Sequence, residues 1–145
     1  MLIVIPGEPM HKPNIRARSW KKWRRWADVA VGEATAQGAL LVGNEPLSLW
    51  VACFFAIPKS WSTAKARAHS GQPMRSKPDG NHLWNGLADA WYKRDERIAD
   101  IRCLKFWDDG NDPRTEVWIR RFGGLAEWTV GRKTLIDSAT RGEVG

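Results

Sequence analysis

Leu47 to Ile57 is apolar through much of its length, rich in β-formers, and closed at both ends by proline, Pro46 and Pro58. Proline interrupts regular elements, and a strand with so little polar surface belongs where both faces are covered. The segment is therefore expected as a largely buried strand near the centre of a sheet. The remaining chain must supply the layers that cover it. With 145 residues there is material for one real core and not for two.

Other elements follow from local signals. Leu2 to Ile5 is a short apolar run closed by Pro6-Gly7, which reads as a first strand entering a loop. Ser19 is a plausible N-cap, and Trp23, Ala27, Ala30 and Ala34 keep helical spacing until Gly38, giving a helix of about five turns. Leu83, Leu87, Ala90 and Trp91 recur at i, i+4, i+7 and i+8, a second helix whose apolar face packs on the sheet. Trp84 and Trp91 on this helix are expected at the core or a dimer interface. Lys59 to Ser76 has no strong apolar period and reads as a mobile loop with at most one helical turn. Ile98 to Trp107 and Thr115 to Phe122 flank the turn signal Asp108-Asp109-Gly110-Asn111-Asp112-Pro113, and a hairpin is the expectation. Residues 1–124 form the expected domain and 125–145 an extension, whose polar end from Asp137 has too few apolar residues to order itself. The fold class is α+β: a single domain with a mixed sheet of about four strands packed with two main helices.

Charge narrows the partner. Lys and Arg outnumber Asp and Glu by 23 to 16, a net charge of +7, which favours a polyanion and nucleic acid first. Cys53 and Cys103 lack a metal-type spacing and are expected as two buried thiols, not a disulfide framework. No run approaches the roughly 20 apolar residues of a membrane span. Met1 leads straight into Leu2–Ile5 and Pro6 without a positively charged start, so a cytoplasmic protein is expected.

Phosphodiester hydrolysis by metal-activated water needs carboxylates that converge from separate elements. Asp79, in Lys77-Pro78-Asp79-Gly80-Asn81-His82-Leu83 before the second helix, and Asp95, after it, are the candidates. The plain structural alternative is that Asp79 caps the helix and Asp95 pairs with Arg94 or Arg97. The segment resembles the signature of the RusA-type Holliday junction resolvases, roughly Lys-Pro-Asp-x-Asp-Asn-Leu-x-Lys, then Asp-Ala-Leu, then an Asp-Asp pair. Further landmarks in the same order are Pro6-Gly7-Glu8-Pro9, Ile57-Pro58-Lys59-Ser60-Trp61 and Pro113-Arg114-Thr115-Glu116-Val117, so the likeness spans residues 2 to 122.

The resemblance implies a homodimer that binds branched DNA at four-way junctions and cuts two strands symmetrically with Mg2+, with Mn2+ as the alternative ion. It implies metal binding by Asp79 and Asp95, with Asn81 where the family has its second aspartate. His82 replaces the usual asparagine, Asn85 the usual lysine, and Arg94 the first residue of the Asp-Asp pair. Asn81 offers a neutral carbonyl oxygen in place of a charge, which weakens binding of a hard cation. Asn85 puts a weak dipole where a cation would stabilise developing charge. His82 is a candidate ligand or base, against the alternative of a surface or capping residue. Asp89 matches the family's helical Asp-Ala and reads as structural.

From Lys12 to Trp26, basic residues alternate with Trp20, Trp23 and Trp26, chemistry suited to phosphates and splayed bases. In the helical part the alternative is a core-anchoring Trp23 with a solvated basic face. Lys12, Arg16 and Arg18, before the helix, are the DNA-contact candidates, and Arg75 and Lys77 flank the acidic loop. Three functions remain: a metal-dependent junction-resolving endonuclease, a branched-DNA-binding protein on the same scaffold that does not cut, and a basic module for RNA or protein.

Overall fold

The computed structural model describes residues 1–38, 43–92 and 95–140. Strand β1 (Leu2–Pro6) leads through a long loop into helix α1 (Trp20–Ala36). Strand β2 (Leu47–Phe55), the short helix α2 (Thr63–His69) and helix α3 (Gly80–Trp91) follow. After a single 3-10 turn at Asp95–Arg97 come β3 (Ile98–Trp107), β4 (Arg114–Arg121) and helix α4 (Leu125–Thr140). The architecture is α+β, one domain with a four-stranded mixed sheet in the order β1-β4-β2-β3, and four helices where two main ones were expected.

The proline-bounded segment is an interior strand. β2 pairs antiparallel with β4, Val51 opposite Val117, and parallel with β3, Val51 opposite Cys103. Alternate residues Leu49, Val51, Cys53 and Phe55 are buried with Ile3 and Ile5 of β1 and Val117 and Ile119 of β4. Onto this face pack Trp23, Trp26, Ala27, Ala30 and Ala34 of α1 and Leu83, Leu87 and Trp91 of α3. The small alanines let α1 lie close to α3, and Trp91 Nε1 donates to the Ala30 carbonyl at 2.9 Å, tying the two helices together. Trp84 is half-buried against the same core.

The expected hairpin of β3 and β4 is overturned, because β2 lies between them. The two strands do run antiparallel, but the connection 108–113 crosses one intervening strand, a step of about 10 Å that such a loop spans easily. The most apolar strand takes an interior slot because there both of its edges pair and one face meets α1 and α3. Within the connection, Arg114 grips the Asp109 carboxylate with two bonds of 3.0 and 3.2 Å, and its guanidinium holds that carboxyl down to about 2.

The stretch expected as a loop is also corrected. Ser62 Oγ accepts from Lys65 N at 3.2 Å and starts α2, and Trp61 packs on Trp107 and His69 at ring separations of 5.0 and 4.7 Å. Beyond it, Met74 N donates to the Lys105 carbonyl and Trp107 N to the Gln72 carbonyl, so 72–74 covers the free edge of β3. None of the α2 side chains is buried, which is why no apolar period announces the helix. At the other end, helix α4 continues through Asp137 to Thr140, further than composition suggested, and residues 141–145 lie outside the described residues.

Cys53 is buried and Cys103 half-buried, both free. The contact between the two thiols, helped by burial, pushes Cys53 up from the ordinary thiol range, and the same contact draws Cys103 down against the opposing effect of its own burial. On the sheet face opposite α1 and α3, Trp118 and Leu104 are 52% and 46% exposed. Among the described residues, no helix is long and apolar enough to cross a membrane.

Candidate functional site

Asp79 stands at the N-cap of α3 in an extended conformation, and its carbonyl accepts from the amides of His82 and Leu83 at 3.1 and 3.3 Å. Its carboxylate makes no capping bond. The backbone therefore starts the helix, and the exposed charged group is left available at a helix N-terminus, where the dipole favours negative charge. The loop that carries it is held from below. Lys105 of β3 reaches up to the carbonyls of Ser76 and Pro78 at 2.6 and 2.9 Å. A Cβ on Gly80 would meet Cys103 Sγ at 3.7 Å, so the first turn of α3 rests on β3.

Asp79 and His82 line an open hollow of about 420 Å³ together with Lys77, Pro78 and His11. His11 arrives from the long loop after β1, whose path is fixed at Gly86. A Cβ on Gly86 would stand 2.9 Å from the backbone nitrogen of Lys12 and 3.4 Å from Trp23 Nε1. Only glycine lets the loop lie on the helix at this point. Gly86→Ala is expected to cost about 1–2 kcal/mol in denaturant unfolding, despite alanine's better helix propensity, because backbone must move.

Asn81 and Asn85 are exposed one turn apart on α3 and do not line this hollow. The backbone of Asp95 begins the 3-10 turn beyond the other end of α3. Twelve helical residues separate it from Asp79, a rise of about 18 Å. The side chain of Asp95, and all of Arg94, lie outside the described residues.

The cations divide into engaged and open ones. Lys12 is committed within the chain: its ammonium binds Asp89 at 2.9 Å and sits over the Trp20 and Trp23 rings at 5.9 and 5.5 Å. That pairing accounts for Asp89 as a structural residue. Arg16 and Arg18 are exposed in the loop before α1, where Asn14 Oδ1 accepts from the Arg16 amide at 3.0 Å. Arg75 is exposed beside the acidic loop. A second cleft of about 590 Å³ adjoins the hollow, sharing His11, Lys77 and Pro78 with it and carrying Lys22 and Arg25 of α1 on its lining. The two depressions make one basic path from α1 to Asp79.

A hard divalent ion takes oxygen donors and favours carboxylates. The Asp79 carboxylate fits that need, and Asn81 can lend a neutral oxygen. Among the described residues, no three His, Cys, Asp or Glu side chains already converge at ligating distance. His11 and Lys105 went unremarked in the sequence, since neither stands in a motif and both matter through contacts distant in the chain. Residues 6–120 match a protein-family model described as Endodeoxyribonuclease RusA. No curated protein matches the chain.

Proposed function

Since the chain belongs to the RusA endodeoxyribonuclease family, matched over residues 6–120, we propose that it is a structure-specific DNA endonuclease acting on four-way junctions as a homodimer. The observation that carries this reading is the uncapped Asp79 carboxylate opening on a hollow continuous with a basic cleft. Lys77 is placed to draw a phosphate toward that carboxylate, and Arg16, Arg18 and Arg75 to hold the strands by their backbones. Lys12 acts through Asp89 as a brace for the loop. Asp79, with Asn81 and Asp95, would hold Mg2+, which when bound supplies water activation and neutralises charge on the phosphate. Lys105 positions this loop by anchoring the carbonyls on either side of Lys77. Residues 125–145 form an extension to the domain. Paired cuts require two sites, and hence two copies of the chain.

Asn81 and Asn85 favour a second reading, a branched-DNA-binding protein that has lost most of its cutting. A labelled four-way junction separates the two. The expected result is metal-independent binding that prefers the junction to linear duplex at fixed salt, with paired nicks in Mg2+. Asp79→Asn should lower nicking by on the order of 100-fold or more and spare binding. Binding without nicks would establish the second reading, and preference for linear duplex or hairpin RNA would sink both.

A further inference from the structure

The cleft beside the Asp79 hollow combines cations with an apolar floor. Its volume of about 590 Å³ lies within the range of roughly 300–1,000 Å³ that takes a small ligand. One wall is a single face of α1, where Lys22, Arg25 and Val29 stand at i, i+3 and i+7 and are exposed. The floor comes from the sheet: Phe55 ends β2, Trp107 ends β3, and Met74 belongs to the segment laid along β3. All three are more than nine-tenths buried, so the core fixes the floor in place. Met10 joins them from the loop that lies on Gly86, and Glu8, on the same lining, has its carboxylate held by the Ala56 amide at 3.0 Å. The cleft meets the hollow at His11, Lys77 and Pro78, which line both.

We propose that this cleft seats one unpaired nucleotide of a DNA strand whose backbone passes Asp79. Lys77 at the shared edge, with Lys22 and Arg25 on the α1 wall, binds the phosphates that flank the nucleotide. The base leaves water for the apolar floor, and the Glu8 carboxylate accepts from a base N–H. Charge and polarity together select this occupant. Cations beside apolar walls suit a phosphate joined to a heterocycle, whereas a linear duplex offers its phosphates alone, because its bases are paired and stacked. Drawing a base out of a duplex costs pairing and stacking energy, and costs least where pairing is already broken, as at a branch point. The cleft thereby distinguishes branched DNA from linear duplex, which contacts to phosphates do not do by themselves. The inference rests on the nuclease reading for the passage of a strand by Asp79, and it requires neither metal nor cleavage.

The methionines provide the test. The chain has three; Met10 and Met74 line the cleft, while Met1 precedes β1, whose other end, Pro6, borders it. The full chain with methyl-labelled methionine is titrated by NMR, without metal and at fixed salt. The probes are an oligothymidylate strand, an abasic sugar-phosphate strand of equal length, a linear duplex and a four-way junction. Oligothymidylate and the junction are expected to move the Met10 and Met74 signals and to leave that of Met1, and the abasic strand and the duplex to leave all three. Val29→Trp, which adds bulk to the cleft from an exposed helix position, should weaken oligothymidylate binding by about 10-fold or more and duplex binding by less than about twofold. Met10 and Met74 signals unmoved by oligothymidylate at any concentration, equal movement with the abasic strand or the duplex, or full oligothymidylate affinity in Val29→Trp would each overturn the proposal. A junction that is nicked in Mg2+ while these two signals stay still removes the seat and keeps the nuclease; signals that move without nicking keep the seat and remove the cutting.

Discussion

Asn81→Asp is expected to raise Mg2+-dependent nicking of a four-way junction by on the order of 100-fold over the unmodified chain. The substitution exchanges an amide for an isosteric carboxylate on an exposed position in the first turn of α3. It buries no new charge, and the helix N-terminus favours the added negative group by a few tenths of a kcal/mol. Stability should therefore hold or rise slightly, and the gain should appear where charge matters, in affinity for a hard cation. Nicking rates under single-turnover conditions across a range of Mg2+ concentrations check this. A rate that rises at limiting Mg2+ and converges at saturation would locate the defect in ion binding. An unchanged rate with intact junction binding would move the limitation to Asn85, where Asn85→Lys is the next variant.

Leu87→Ala carries the largest expected loss of stability, about 3–5 kcal/mol. Leu87 is 1% exposed on the buried face of α3 and lines a small internal void with Trp26, Val51, Cys53, Leu83 and Thr115. Trp26 Nε1 and Thr115 Oγ1 are buried without a hydrogen-bond partner among the described residues. Truncation would enlarge a space whose walls are a sheet and two cross-tied helices, which cannot collapse around it, so the cost should fall in the upper part of the range for such changes. Thermal unfolding should show a midpoint lower by roughly 10 °C or more. A small change would mean that α3 settles inward. Asp79 would then move with the helix, and junction nicking in the same variant would report it.

Signals local in sequence carried much of the fold. Pro46 and Pro58 bound an interior strand, the spacing of Trp23, Ala27, Ala30 and Ala34 described α1, and Leu83, Leu87 and Trp91 described the buried face of α3. Each is a periodicity or a breaker, which a single element imposes on its own residues. The pairing of β3 with β2 instead of β4 had no such signal, because the turn between β3 and β4 is equally compatible with a hairpin or a hop over one strand. Helix α2 escaped because a helix with no buried residue shows no apolar stripe.

The candidate site divides along the same line. The residue types around Asp79, the departures at Asn81, His82 and Asn85, and the family likeness could all be read from the chain, since a motif is a local arrangement of chemistry. The sequence by itself determined a basic, single-domain α+β protein with one acidic loop opening a helix. Only the tertiary structure decided that Lys105 anchors that loop, that Lys12 is spent on Asp89, that His11 stands beside His82, and that α3 separates the backbones of Asp79 and Asp95. The reason is physical: these relations join residues far apart in the chain, and their distances are set by how helices pack on the sheet, which no local pattern encodes.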